Sequence, residues 1–140
     1  MGETYHEGID GTEWVLLKYR PDGTEPWAKR LCLSDGVDER PGDLAVDIEG
    51  NVYVTGSVYS EVTCADFMTI KYDGNGTYVW STPYNGASNG DDRPCDIGLD
   101  SNGNVYVAGS SQDQNSMIPT GACNGSCAIP VRTMTAMATL

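Results

Sequence analysis

Apolar residues along this chain come in short runs of strand length. Trp14-Val-Leu-Leu-Lys-Tyr19 and Phe67-Met-Thr-Ile-Lys-Tyr72 are aromatic and aliphatic runs bounded by turn residues. Alternation puts Val15, Leu17 and Tyr19 on one face and Trp14, Leu16 and Lys18 on the other. Both faces are largely apolar, as expected of a sheet packed between two others. Arg20-Pro-Asp-Gly-Thr24 and Asp73-Gly-Asn-Gly-Thr77 follow, with glycine where positive φ is wanted, and each predicts a hairpin. The returning strands, about 25–31 and 78–84, are more polar. Pro26 and Pro83 mark them as edge strands, because proline cannot donate to a ladder. Beyond loops 32–42 and 85–95, Asp43–Asp47 with Val52–Gly56, and Asp96–Asp100 with Val105–Gly109, predict a second pair. Ala45 and Gly98 suit a crowded inner strand. No amphipathic helix is predicted within 13–110.

This is one pattern written twice. Asp47-Ile-Glu-Gly-Asn-Val-Tyr-Val-Thr-Gly-Ser57 returns as Asp100-Ser-Asn-Gly-Asn-Val-Tyr-Val-Ala-Gly-Ser110, an offset of 53 (100 minus 47). The same offset lays Lys18-Tyr19 on Lys71-Tyr72, Trp27 on Trp80 and Arg40-Pro41 on Arg93-Pro94. Aligning 13–57 with 66–110 gives 17 identities in 45 positions, which makes the two a duplicated unit of four antiparallel strands. Units of this length bury their faces only by stacking on neighbours. With 140 residues the chain holds fewer than three units, whereas a closed propeller needs at least about four blades. The expected fold is therefore all-β, a solenoid or an open, partial β-propeller of about two complete units (blades, in a propeller), 13–57 and 66–110. Residues 1–12 read as the remnant of a preceding blade, since Gly2-Glu-Thr-Tyr5 lies on Gly56-Ser-Val-Tyr59 with a one-residue shift. A third copy would need an aromatic run near 119–125, where Pro119-Thr-Gly-Ala-Cys-Asn-Gly125 stands, so 111–140 is expected to be an irregular or disordered tail.

Lys+Arg 8 against Asp+Glu 20 gives a net charge of -12. That charge repels a phosphate backbone and anionic lipid, which argues against nucleic acid as a partner and against an anionic membrane surface. No apolar run reaches the roughly 18 residues of a membrane span, and the N-terminus lacks the basic and apolar regions of a leader. Cys32, Cys64, Cys95, Cys123 and Cys127 do not repeat at the unit offset and are read as buried or incidental thiols, with Cys64–Cys95 or Cys123–Cys127 open as disulfides. Cys123 and Cys127 lack metal-knuckle spacing and His6 is the single histidine, so no metal or cofactor is expected.

The run Leu44-Ala-Val-Asp-x-x-Gly-Asn-Val-Tyr-Val-Thr-Gly-Ser57, followed by Asp66-Phe-x-Thr-x-Lys-Tyr72 and Trp80, resembles the bacterial SBBP-type β-propeller repeat and, more distantly, NHL-type repeats. The resemblance covers about 13–110. It implies four-stranded blades around a channel, with the Asp43–Asp47 strand innermost and the Trp80 strand outermost. It also implies a large secreted or cell-surface bacterial protein, usually without assigned catalysis.

Asp38-Glu-Arg-Pro-Gly-Asp43 and Asp91-Asp-Arg-Pro-Cys-Asp96 recur in register before the innermost strand, at one mouth of such a channel. Asp38, Arg40, Asp43, Asp91, Arg93 and Asp96 are the candidate ligand site for a polar ligand or cation. The competing reading, an Asp–Arg pair pinning the loop or bridging blades, gains from the repetition, since scaffold residues repeat and sites break symmetry. Asp73–Thr77 and Asp100–Asn104 look like the start of a calcium loop, but Tyr84 and Ser111 stand where the closing glutamate belongs, which leaves tight turns. Lys18 and Lys71 read as snorkelling stems, and Trp27 and Trp80 as packing within their own blade. Three functions follow: a non-catalytic scaffold or a module binding protein or carbohydrate; a propeller lyase or glycosidase with its site at the channel mouth; or a homo-oligomer formed through exposed blade faces.

Overall fold

The computed structural model of the chain describes residues 2–5, 12–31, 39–60, 64–87, 89–112 and 134–139. They form strands β1 (Gly2–Tyr5), β2 (Thr12–Lys18), β3 (Trp27–Leu31), β4 (Glu39–Val46), β5 (Val52–Ser60), β6 (Cys64–Tyr72), β7 (Tyr78–Tyr84), β8 (Asp92–Leu99), β9 (Val105–Ser111) and β10 (Met134–Thr139). Every pairing is antiparallel, in three sheets: β1-β2-β3, β4-β5-β6-β7 and β10-β9-β8. The described residues are all-β.

The sheets do not coincide with the sequence copies. The central sheet takes β4 and β5 from the first copy and β6 and β7 from the second. The expectation that 13–57 and 66–110 are each one four-stranded sheet is corrected by half a unit. One complete four-stranded sheet, 39–84, lies between two three-stranded ones. The short β5–β6 connection is one reason, although length alone does not mark the crossings, since 19–26 within the first sheet is longer than either crossing segment. Only residues 61–63 separate β5 from β6, which suits a hairpin, whereas 32–38 and 85–91 are long enough to cross to the next sheet.

Register identifies the flanking strands. Gly2 faces Val15 as Gly56 faces Met68, so β1 occupies the place of the C-terminal half of β5, with the expected one-residue shift. Ala136 faces Gly109 as Met68 faces Gly56, so β10 holds the third-strand position of its sheet. For 134–139 the irregular tail is thus replaced by a strand. Its signal is weak because Met134-Thr-Ala-Met-Ala-Thr139 carries no aromatic residue and arrives late. The expectations for 113–133 lie outside the described residues.

Alternation gives the central sheet two buried faces. On one, Val52, Val54, Ile70 and Tyr72 meet Trp14, Leu16 and Leu31 of the first sheet. On the other, Tyr53 and Phe67 meet Ile97, Val105 and Val107 of the third. The two interfaces are a single contact repeated. The Trp14 ring lies against Gly56, and Phe67, at the position of Trp14 in the second copy, lies against Gly109. A Cβ on either glycine would overlap the ring and the carbonyl of Arg40 or Arg93. Glycine inside these strands marks a close approach between layers.

β4 and β8 begin earlier than the sequence predicts, running through Pro41 and Pro94 with a bulge at Pro41/Asp43 and at Pro94/Asp96. A bulge is where a strand tolerates proline. Ala45 packs against the second core, but its counterpart is not crowded as expected: Gly98 is exposed, and a Cβ there meets nothing within 4 Å. The close approach is at Gly42, whose Cβ would stand 3.0 Å from the Pro94 carbonyl oxygen.

Gly56→Ala or Gly109→Ala therefore destabilises the fold by about 1–3 kcal/mol or more through overpacking, while Gly98→Ala is neutral or mildly stabilising. Urea unfolding of the three variants checks the order, and a Gly98→Ala loss equal to the others would contradict it.

Candidate functional site

The loops entering β4 and β8 carry the sequence-predicted site. Asp38 lies outside the described residues. Arg40 is exposed on β4, and Asp96 is exposed on β8. Asp43 is half-buried, and its Oδ2 accepts the Ile97 N–H at 3.2 Å, tying β4 to β8 across the sheets. Arg93 donates to Asp91 at 2.9 Å, an exposed pair two residues apart whose expected worth is about 0–1 kcal/mol. The arrangement brings Asp91 and Arg93 together and leaves Asp43 engaged elsewhere. Among the described residues no group of three or more His, Cys, Asp or Glu is arranged to hold a metal ion.

Sequence reasoning missed the neighbouring acids. Glu39 and Asp92, one unit apart, are both buried at the start of the inner strands. Asp92 Oδ2 accepts the Gly86 N–H at 2.6 Å, and its backbone carbonyl accepts the Ser57 hydroxyl at 3.2 Å. Asp92 Oδ1 has no hydrogen-bond partner among the described residues. An acid in both copies at this offset was the available signal. It was masked by the general expectation that loop carboxylates face water.

The remaining conspicuous carboxylates close turns. Asp73 Oδ1 accepts the N–H of Asn75 (2.9 Å) and Thr77 (2.8 Å). Asp100 accepts from the Asn102 and Asn104 backbone, the Asn104 side-chain amide and the Tyr106 hydroxyl. Asp47 repeats that set with Glu49, Asn51 and Tyr53. Asp22 takes the backbone N–H and hydroxyl of Thr24. The donors use both carboxylate oxygens at Asp47 and Asp100 and one at Asp22 and Asp73, and each carboxylate binds within its own turn, as the tight-turn reading expects. They also lower the carboxyl pKa values. The Thr24 hydroxyl does so at Asp22, the Thr77 N–H at Asp73 and the Asn104 amide at Asp100. At Asp47, desolvation opposes the shift and the bonds from Asn51 and Tyr53 outweigh it.

Lys18 and Trp27 do more than the sequence implied. Lys18 Nζ (2.8 Å) and Trp27 Nε1 (3.3 Å) both donate to the Gly74 carbonyl in the next sheet, and the Trp27 ring lies over Gly76. Trp27 thus packs between sheets and not only within its own. Their counterparts Lys71 and Trp80 line an open cavity of about 430 Å³ with Tyr53, Ser81, Thr82, Gly103 and Val105. Tyr53 stands edge-on to Trp80 at 6.1 Å, and Lys71 Nζ lies 4.8 Å from the Tyr53 ring centre.

Cys64 is buried and disulfide-bonded, while Cys95 is a free, exposed thiol. A Cys64–Cys95 bridge is therefore excluded, because the bulge turns Cys95 outward. Cys32, Cys123 and Cys127 lie outside the described residues.

Stacked antiparallel sheets that converge at β4 and β8 and repeat the same interlayer contact define a β-propeller repeat protein. The SBBP beta-propeller repeat family matches residues 27–57 and 79–115, and the chain is an SBBP-type repeat protein. No curated protein matches it significantly. No helix among the described residues is long and apolar enough to cross a membrane.

The lowered carboxyl pKa values set the sign of the acid response. Their stabilisation is full above the unfolded value, about 3.9, and is lost as pH falls through the lower folded values. Asp47→Ala/Asp100→Ala is expected to be less stable than the parent at neutral pH, with the gap closing in acid. A gap independent of pH in denaturant titrations would contradict this.

Proposed function

We propose that the chain is a non-catalytic β-propeller repeat module, a scaffold or a protein- or carbohydrate-binding part of a larger secreted or cell-surface bacterial protein. One observation carries the reading: Asp43, Asp47 and Asp100, three of the acidic residues that recur in both units, are engaged in folding. Asp47 and Asp100 close equivalent turns, and Asp43 ties two sheets together. Residues that repeat because each blade needs them are poor candidates for a single active centre. The disulfide at Cys64 supports an oxidising, extracellular setting. The net charge of -12 disfavours nucleic acid and anionic membranes as partners. Trp80 and Tyr53, beside Lys71, offer an apolar rim with polar handles suited to a sugar face or a peptide.

The alternative, a lyase or glycosidase built on Asp38, Arg40, Asp91 and Arg93, has the residue types, but of its two carboxylates only Asp91 is among the described residues. Arg93 takes up Asp91, and glycosidase carboxylates must flank a substrate. Incubation with a panel of neutral and acidic polysaccharides is expected to give no turnover above buffer. Turnover that Asp91→Ala abolishes would overturn the non-catalytic reading.

A further inference from the structure

The central sheet is built from the second half of one copy and the first half of the next. Applied once more, the same rule joins the second half of the last copy, β8-β9, to the first half of the first copy, β2-β3, of another chain. We infer that the protein assembles head to tail through such a composite blade, β8-β9-β2-β3, with β9 of one copy pairing with β2 of its neighbour. This goes beyond the module reading and stands or falls without any ligand.

Three vacancies in the chain match what this blade supplies. The first is the cavity at Lys71 and Trp80. At the equivalent place in the first interface, Lys18 and Trp27 grip the Gly74 carbonyl of the turn Asp73–Thr77. The turn Arg20–Thr24 has the same backbone bonds: Gly23 N–H to Arg20 at 2.9 Å and Arg20 N–H to Thr24 at 2.8 Å, against Gly76 to Asp73 and Asp73 to Thr77, both 2.9 Å. Its glycine has φ +82° against +80° at Gly76, and it is exposed. Brought in by a neighbour, it would set the Pro21 carbonyl between Lys71 and Trp80 and Gly23 beneath the Trp80 ring. The cavity continues an interface already formed inside the chain, since Val105 lies both in that core and on its wall.

The second vacancy is the outer face of β2. Leu17 and Tyr19 are 38% and 59% exposed, whereas their counterparts Ile70 and Tyr72 in the central sheet are 1% and 5% exposed. In the composite blade they would take the covered positions of Ile70 and Tyr72. The third is the inner edge of the central sheet. Leu44 and Val46 are 36% and 54% exposed, while the counterpart of Leu44, Ile97, is 6% exposed. Leu44 and Val46 are uncovered because the first sheet has no described strand opposite β4. A neighbour's β8 and Tyr106 would cover them, as Ala45 and Tyr53 cover Ile97 and Leu99 in the other interface.

The pairing has a defined register. Shifting Val52↔Tyr72 through Val58↔Asp66 by one unit aligns Val105 with the partner's Tyr19 and Ser111 with its Glu13. β2 of the neighbour displaces the six-residue β10, and β9 displaces the four-residue β1. One ladder of about seven pairs replaces ladders of six and four, so it is burial of the apolar residues named above that must favour the exchange. Each copy then owns one whole blade and shares one at each end, so n copies close 2n blades. Closed propellers of about four to eight blades correspond to two, three or four copies.

The test is sedimentation velocity on the full chain carrying Cys95→Ser, at about 0.15 M salt to screen the charge on each copy. A single closed species of two to four copies is expected. Leu17→Asp should return it to monomer with an unchanged β-sheet circular dichroism spectrum. Glu13→Cys/Ser111→Cys, oxidised, should cross-link copies to one another, because within one chain those strands lie on opposite sides of the central sheet. A monomer at every concentration, an open-ended size distribution, an oligomer that survives Leu17→Asp, or no cross-link would each overturn the inference.

Discussion

An aromatic ring packed against a strand glycine of the next sheet is the contact on which the architecture depends. Trp14 on Gly56 and Phe67 on Gly109 bring successive layers together at positions where a side chain is missing. Around each ring the aliphatic residues of two sheets interdigitate, and that burial is the main stabilising force in a chain with no helices among its described residues. The contact also explains why the unit cannot stand alone. Half of every interface belongs to the following sheet, so stability comes from neighbours, as in other repeat proteins.

The same geometry divides the polar residues by task. At one end of the sheets, Asp47 and Asp100 gather backbone and side-chain donors into tight turns with Gly50 and Gly103 at φ +83°. At the inner strands, Asp43 crosses between sheets, and Asp92 is buried against Gly86. At the outer strands, lysine and tryptophan hold a neighbouring turn by its carbonyl. The Asp43 bond and the lysine–tryptophan grip join consecutive units, whereas the two turns and the Asp92 bond are local. Several of the acids that looked like a ligand field are thus engaged in the fold.

Strand identity, hairpin positions and the edge role of the proline-bearing strands were legible because alternation, turn glycines and a fixed offset all agreed. The one-residue shift that laid Gly2–Tyr5 on Gly56–Tyr59 reappears as the β1 register. Sheet membership was not legible. The repeat shows only that 13–57 equals 66–110, and a cyclic pattern carries no mark of where one sheet ends. Strand pairing decided it, and the short connection 61–63 was only a partial signal. Pro41 and Pro94 hid the true start of the inner strands because a bulge, invisible in the sequence, removes the usual objection to proline. The candidate site was only partly visible. Residue type pointed to Asp91 and Arg93, but the socket at Lys71 and Trp80 becomes recognisable only beside its filled counterpart.

The central claim is that β5 pairs with the strand of the following copy and not with the one in its own. Interstrand backbone nuclear Overhauser effects decide this directly. The account predicts contacts between Thr55 and Thr69 and between Tyr53 and Lys71. Contacts from Thr55 to Leu16 and from Tyr53 to Lys18, one unit earlier, would contradict it.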